Sequence, residues 1–170
     1  MSRPSATEFA PFHQTYINYT SGKDYSILVQ QYNDRIIESW NAIPTEKINF
    51  AYAPDKWTIR QMFQHVIDTE RILAYRALSI ARHEKTNLPG FDENAYAKSA
   101  TASHRNWKEM QVEWKIVRQS TNILFSSFTE DDMKQKGMAN ESALSVNALG
   151  FIIFGHALHH LHILKERYEI

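Results

Sequence analysis

The 170-residue sequence contains no cysteine. Disulfides, thiolate zinc sites, iron–sulfur clusters and cysteine nucleophiles are therefore excluded for this chain. A domain of this length buries about two-thirds of its unfolded surface, so it needs no such cross-link to fold. With five glycines in all, the sequence also has neither a phosphate-binding glycine loop nor a dinucleotide fingerprint. The most informative polar residues that remain are the eight histidines.

An excess of charge of either sign is also absent. The 19 lysines and arginines balance 19 aspartates and glutamates, whereas a nucleic-acid or anionic-membrane binder usually carries a basic excess. The longest apolar stretch, residues 148–154, is far too short to cross a bilayer, and the first ten residues lack the apolar core of a signal peptide. We therefore expect a cytoplasmic protein that binds neither nucleic acid nor membranes.

Proline and glycine are placed in a way that predicts long helices. All five prolines lie within the first 89 residues, and Pro89-Gly90 falls in a stretch without helical periodicity. Elsewhere apolar residues recur every three or four positions, as in helices that bury one face. The predicted helices cover about residues 24–42, 58–82, 103–128 and 145–168.

These segments predict an all-α four-helix bundle, formed by a single domain over residues 1–170 with residues 1–22 as a loose N-terminal arm. The last helix is apolar almost all round near its middle, which marks it as the most central one. No segment alternates with a period of two for long enough to predict a strand. Residues 83–100 and 129–142 are predicted to be connections, where substrate specificity would reside.

Half of the histidines fall within seven residues of the last predicted helix: His156, His159, His160 and His162. A helix turns by about 100° per residue, so His156 and His160 share a face, His159 lies beside them and His162 points away. Two imidazoles at this spacing can chelate one divalent ion. Because they lie in the most apolar helix, they need ligands or hydrogen bonds there.

The second predicted helix offers a third nitrogen ligand. His65 lies at the edge of its apolar stripe, and Asp68 lies one turn further along the same side. With His156 and His160, His65 would complete a three-histidine site in which Asp68 orients an imidazole or a water. Three neutral protein ligands leave coordination positions open and the charge of the ion uncompensated, so the ion would be a strong Lewis acid.

Other interpretations of these residues stay open. The histidines could form a hydrogen-bonded core that is satisfied by carbonyls, water or the carboxylates of Asp68 and Glu70. His159 competes with His156 as a ligand. A thermolysin-like peptidase is disfavoured, because Ala157 occupies the position of the catalytic glutamate in the HExxH motif.

Three short segments match motifs of a known family: WTIRQ (residues 57–61), HVID (residues 65–68) and GHALHH (residues 155–160). In these motifs the chain resembles the DinB-like superfamily, particularly its YfiT-like members. The resemblance implies an up-down-down-up four-helix bundle with a long crossover, and a metal held by His65, His156 and His160. It also implies zinc or nickel as the usual ion and a homodimer in many members. Histidine-only sites accept several ions, so manganese and iron stay open.

The resemblance further implies a metal-dependent enzyme that acts on a small molecule. Members are described as hydrolases, and several relatives are S-transferases or isomerases that use a low-molecular-weight thiol such as bacillithiol. We predict a hydrolase or thiol S-transferase with His65, His156 and His160 as metal ligands and with Asp68 and His159 as catalytic residues. The alternative hypothesis is a noncatalytic bundle that binds metal or a small ligand. Because the chain has no cysteine, any thiol must arrive as a substrate.

The other candidates are predicted to be structural or exposed. The histidines expected to lie outside the site are His13, His83, His104 and His162. The aromatic side chains expected in the core are Trp40, Trp107 and Trp114. Trp57 is expected to pack at the start of its helix and only secondarily to form a pocket wall. Arg60 and Arg71 could bind an acidic group of a substrate, but a solvated helix face is the ordinary interpretation.

Overall fold

Seven α-helices and one two-stranded antiparallel sheet make up the computed structural model, which describes residues 2–170. The helices are α1 (Gln14–Asn18), α2 (Tyr25–Asn41), α3 (Ile59–Ala81), α4 (Glu93–Ser99), α5 (Trp107–Ser126), α6 (Glu130–Lys134) and α7 (Val146–Tyr168), and the strands are β1 (Lys136–Ala139) and β2 (Ser142–Ser145). The four long helices α2, α3, α5 and α7 form the bundle. No helix within residues 2–170 is both long and apolar enough to span a membrane.

Side-chain caps fix where the long helices begin. Asp24, Thr58 and Ser145 each accept a hydrogen bond from a backbone N–H in the first turn of α2, α3 and α7, which typically contributes about 1 kcal/mol per cap. Thr58 and Gln61 form the expected capping box. Helix α5 begins four residues later than predicted, because a 3₁₀ turn occupies residues 102–104.

Contacts between the helices give the topology. Tyr168 donates a hydrogen bond to the Trp57 carbonyl at one end of the α3–α7 contact, and His65 meets His156 further along, so these two helices are antiparallel. Helices α3 and α5 run parallel, and the long connection over residues 82–106 makes this possible. Helix α2 packs between α5 and α7, diagonally across from α3. The arrangement is the expected up-down-down-up bundle with a long crossover.

Helix α7 lies at the centre of the core, as its composition predicts. Every residue from Val146 to Leu158 is buried. The tryptophans expected in the core are buried as well: Trp40, Trp107 and Trp114. This helix therefore carries His156 and His160 inside the protein.

Two expectations about the rest of the chain are wrong. The N-terminal segment is not loose, because Ile17 of α1 is buried and α1 packs on α7. The close approach depends on Gly155, where a Cβ atom would stand 2.0 Å from the carbonyl oxygen of Tyr16. The chain also contains strands, β1 and β2, which are only four residues long and therefore show too little alternation to be recognised.

The two predicted connections are joined to each other. Leu88, in the crossover, donates its backbone N–H to Met138 and accepts from Asn140, both at 2.9 Å. Leu88 thereby extends the β1–β2 hairpin with a parallel bridge to Ala139. The crossover and the hairpin are thereby joined into one unit.

Candidate metal centre

Three imidazole rings meet between α3 and α7. The Nε2 atom of His156 lies 3.0 Å from Nε2 of His65 and 3.1 Å from Nε2 of His160. One ring nitrogen of each histidine lies within 4.8 Å of those of the other two. We refer to His65, His156 and His160 as the histidine cluster. It is the one group of three or more histidine, aspartate or glutamate residues within residues 2–170 that is arranged to hold a metal ion.

The helices determine this geometry. His156 and His160 are one turn apart on α7, so their rings point in the same direction. The antiparallel α3 brings His65 to them from the opposite side. Trp57, just before α3, packs its ring 4.8 Å from that of His65. The cluster is therefore held by two rigid helices and one aromatic wall.

Burial keeps the three rings uncharged. It lowers the pKa of His65 to about 4, with a smaller contribution from His159. Burial likewise lowers the pKa values of His156 and His160 well below the ordinary value, and the neighbouring histidines add to the effect. All three rings are thus neutral at pH 7, which is the form in which imidazole binds a metal.

The second ring nitrogens show which atoms are free to act as ligands. The hydroxyl oxygen of Thr69 lies 3.4 Å from Nδ1 of His65, so it can accept a hydrogen bond from a protonated Nδ1. In that tautomer Nε2 of the ring carries no proton and is free to act as a ligand. Nδ1 of His160 is buried without a hydrogen-bond partner among residues 2–170. In both rings it is Nε2 that faces the centre of the cluster.

These donors fit a divalent metal ion. Three nitrogens bound tetrahedrally at about 2.0–2.1 Å stand about 3.3 Å apart, and the two shortest separations in the cluster are within a few tenths of an ångström of that value. Three neutral ligands leave open positions, as in catalytic rather than structural zinc sites. Hydrogen bonds among the three rings cannot satisfy all of their nitrogens, because two imidazole nitrogens approach the single Nε2 of His156, which can take part in only one such bond.

The cluster forms one end of a cavity of about 430 Å³. Its walls come from four parts of the chain: α3, α7, the N-terminal segment and the joined crossover and hairpin. Residues of both predicted connections take part, including Phe91 and Glu93 from the crossover and Asn140 from the hairpin. A larger groove of about 580 Å³ between α2 and α5 is lined by no histidine, and another of about 570 Å³ is lined by a single one, the exposed His162. The candidate metal site is therefore the smaller cavity.

Comparison with known proteins agrees with this architecture. The family model described as the DinB superfamily matches residues 28–164, which is most of the chain. This chain belongs to the DinB superfamily. The resemblance noted in the sequence is therefore confirmed, and so is the expected four-helix bundle.

Two proteins that are similar to this chain carry descriptions of an activity. A protein of Oceanobacillus iheyensis named "Putative metal-dependent hydrolase" is 26% identical over 69 residues, which cover 41% of this chain and only 40% of that relative. The solved structure of YfiT from Bacillus subtilis has a TM-score of 0.66 at 14% identity, covering 98% of this chain and 93% of that chain. YfiT is described as "a probable metal-dependent hydrolase with an unusual four-helix bundle topology". At this identity the likeness concerns the fold.

Of the predicted site residues in this DinB chain, the three proposed ligands come together and Asp68 does not join them. Asp68 accepts a hydrogen bond from Gln64 at 2.8 Å and lies near arginines on the α5 side of α3. Burial raises its pKa. The group next to the His65 ring is Thr69 instead. The predicted role of Asp68 in orienting an imidazole therefore finds no contact in the structure.

His159 lies at the rim of the cavity, outside the cluster. Its ring packs against Tyr16 at 5.6 Å and against His160 at 5.2 Å. His156, not His159, is the ring that meets His65, so the alternative in which His159 replaces His156 as a ligand lacks support. Burial, and to a smaller extent His162, lowers the pKa of His159, so it is a neutral base beside the site.

Sequence reasoning missed residues from two places. His13, expected to lie outside the site, lines the cavity together with Tyr16, because the N-terminal segment packs on α7. Arg76 of α3 lines it as well; it follows His65 by 11 residues, a spacing that returns to the same face of a helix. The other histidines predicted to lie outside are exposed, as expected: His83, His104 and His162. The homodimer and the cytoplasmic location stay predictions.

Proposed function

We propose that this protein is a divalent-metal-dependent enzyme that acts on a small molecule, with His65, His156 and His160 as the metal ligands. The observation that carries the proposal is the meeting of three buried, neutral imidazoles at one end of a cavity of about 430 Å³. The names of the two relatives favour hydrolysis. Transfer to a low-molecular-weight thiol is the second reaction that such a site supports.

The proposed cofactor is zinc or nickel, with manganese or iron as further options, since histidine nitrogens accept all of them. When bound, the ion would supply a Lewis acid that makes a water or a thiol acidic enough to lose its proton near neutral pH. No carboxylate belongs to the histidine cluster, so the protein would leave the positive charge of the ion uncompensated.

The surrounding side chains have separate tasks in this proposal. Thr69 fixes the tautomer of His65 from behind. His159, neutral and at the rim, accepts a proton from the attacking water or thiol. Tyr16 packs edge-on to the rings of His156 and His159 and forms the wall of the cavity beside them. Leu73 and Ile152 line the same cavity and limit the entry of water.

A noncatalytic binding protein is the second candidate, and one observation favours it. Asp68 faces away from the cavity, and Glu93 at its edge is exposed. Within the part of the chain that the structure describes, the site thus holds no buried carboxylate that could act as a general base, and His159 is left as the candidate base. A protein that only sequesters a metal or a ligand would need no such base.

Metal binding is tested first. Protein purified without added metal should contain about one divalent ion per chain by elemental analysis, and chelation should lower its melting temperature. His160→Ala should lose the ion and the thermal shift. His162→Ala is the matched control, since His162 lies on the same helix but is exposed, and it should keep both. Protein that takes up neither zinc, nickel nor manganese would exclude the proposal.

Catalysis is tested with the metal-loaded protein. A set of ester substrates and a chlorinated aromatic electrophile are offered with and without an added low-molecular-weight thiol. Turnover of esters without thiol indicates a hydrolase, and consumption of the electrophile only with thiol indicates an S-transferase. Activity that disappears in His159→Ala while the metal stays bound would support His159 as the base. Stoichiometric metal with no turnover in any arm would favour the binding protein.

A further inference from the structure

Arg76 is a buried cation in the cavity. Its side chain is on α3, lines the cavity, and the residue is only 7% exposed. Its one hydrogen bond within residues 2–170 runs from Nη2 to the carbonyl oxygen of Pro89 at 2.7 Å. No carboxylate of residues 2–170 lies within 4.0 Å of the guanidinium. The protein therefore offers this charge no anionic partner.

Such an arrangement is uncommon because a buried charge is costly without an opposite charge. Arginine keeps its proton even when burial lowers its pKa, as it does here. The other buried arginine, Arg118, shows the ordinary solution, since it pairs with Glu70 at 2.8 Å. The N–H groups on Nε and Nη1 of Arg76 have no hydrogen-bond partner among residues 2–170. These atoms keep some exposure, and the side chain borders a cavity that can admit a ligand.

His13 adds a second unsatisfied group beside Arg76. It is also 7% exposed, it lines the same cavity, and its Nδ1 atom is buried without a partner among residues 2–170. Burial, followed by the charge of Arg76, lowers the pKa of His13 to about 4. A neutral imidazole next to a guanidinium can donate one hydrogen bond to an anion without competing with it for charge.

The position of these two groups relative to the histidine cluster defines a ligand shape. Arg76 lies three helical turns beyond His65 on the same face of α3, roughly 16 Å between Cα atoms, and the length of the arginine side chain shortens this span. Thr69 and Leu73 line the cavity between them. A ligand with its reacting end at the histidines would therefore reach Arg76 with its other end.

We propose that Arg76 and His13 form a binding subsite for a carboxylate, so that the substrate is a small molecule with a carboxylate several bonds away from its reacting group. The placement of the reacting group rests on the function proposed above; the subsite itself does not. One guanidinium balances the single charge of a carboxylate and matches its planar shape, whereas a phosphate monoester would bring further charge. Glu93 is the one acidic residue among residues 2–170 that lines the cavity; it is exposed and leaves the guanidinium free.

The test uses two ligands that differ only in the distal group, mercaptohexanoate and mercaptohexanol. Their affinities are measured by calorimetry on zinc-loaded and on metal-free protein. We expect the carboxylate to bind about ten-fold tighter than the alcohol, because hydrogen bonds to a charged partner are the stronger kind. The preference should persist in metal-free protein with lower overall affinity. Loss of zinc binding with the preference retained would refute the proposed function and leave the subsite standing.

Variants of Arg76 and His13 test which side chains cause the preference for the carboxylate. Arg76→Gln should bring the carboxylate down to the affinity of the alcohol, Arg76→Lys should keep part of the difference, and His13→Asn should reduce it. Arg71→Gln is the matched control, because Arg71 lies on the same helix but pairs with Glu113 outside the cavity, and it should leave the preference unchanged.

Three results would overturn the subsite. Equal affinities of the two ligands for the wild-type protein would do so without any variant, so the test does not depend on whether Arg76→Gln folds. A preference that survives in Arg76→Gln would place the carboxylate elsewhere. Tighter binding of hexyl phosphate than of mercaptohexanoate in metal-free protein would replace the carboxylate by a phosphate.

Discussion

Helix α3 contributes to two groups of buried polar side chains, one shared with α5 and one with α7, and the two groups differ in whether they are charged. Glu70 and Arg118 are 3% and 0% exposed and form an ion pair at 2.8 Å between α3 and α5, with the guanidinium also 4.2 Å from the ring centre of Phe154. Their charges cancel within the protein. The histidine cluster, between α3 and α7, carries no charge, contains no acid and opens into a cavity.

The difference separates a structural group from a functional one. Each member of the ion pair has its main partner inside the fold. Glu70 Oε1, Arg118 Nε and Arg118 Nη2 have no partner among residues 2–170, but the pair lines none of the cavities described above. In the histidine cluster, two imidazole nitrogens share one acceptor, and Nδ1 of His160 has no partner among residues 2–170. The cluster differs from the ion pair in that its uncharged nitrogens converge and open into a cavity, and this makes it a place where an external ion gains affinity.

The largest effect should come from breaking the ion pair. Glu70→Leu leaves Arg118 buried and unpaired, so we expect the free energy of unfolding to fall by about 3–5 kcal/mol in urea titrations. The double variant Glu70→Leu with Arg118→Met should recover most of this loss and still bind zinc as the wild type does. A double variant as unstable as the single one would show that the pair is not self-contained.

A change of pH also distinguishes the two groups, because the histidine cluster, unlike the ion pair, must stay uncharged. In the folded protein the pKa of His65 is about 4, against about 6.5 when unfolded. Between these values the unfolded chain binds a proton that the folded one excludes, so stability is full above pH 6.5 and falls as the pH drops toward 4. For His65 alone, the free energy of unfolding at pH 5 should be about 2 kcal/mol lower than at pH 7.

The measurement compares urea unfolding at pH 7 and pH 5 in the presence of a chelator. His65→Asn should make the loss smaller by about the amount given above. His162→Asn removes an exposed histidine of α7 and should leave the loss unchanged. An unchanged loss in His65→Asn would mean that this ring is not held neutral by the fold.

Gly155 allows a test of whether α1 forms a wall of the cavity. In Gly155→Ala the new methyl group would collide with the Tyr16 carbonyl, so α1 must move away from α7. We expect a loss of stability between about 1 and 2 kcal/mol and faster chemical modification of His156 by diethyl pyrocarbonate. Gly22→Ala offers a control for an added methyl group, because its Cβ would meet mainly the side chain of Leu28, which does not line the cavity. Equal modification rates in both variants would argue against α1 as a wall of the site.

The features that could be predicted from the sequence depend on residues that lie close together in the chain. Asp24, Thr58 and Ser145 cap helices through bonds that span three residues, and the pairing of His156 with His160 depends only on helical repeat. His13 carries no such signal, because its place in the cavity depends on the contact between Tyr16 and Gly155. Arg76 carries one, the 11-residue spacing from His65. The two arginines that the sequence suggests for an acidic substrate group, Arg60 and Arg71, do not line the cavity.

Asp68 shows where helical spacing is not enough, and it gives the smallest predicted effect. Relative to His65, Asp68 lies about 60° around α3 to one side and Thr69 about 40° to the other, so spacing alone cannot tell which faces α7. In the structure Thr69 is beside the His65 ring and Asp68 bonds to Gln64. Asp68→Asn should therefore change zinc affinity by less than about two-fold, whereas Thr69→Val should lower it by about ten-fold, at the low end for groups that orient a ligand. Zinc titrations of both variants against a competing chelator measure the two effects side by side. The reverse order of effects would restore Asp68 to the site and show that α3 turns its other side toward the metal when the ion binds.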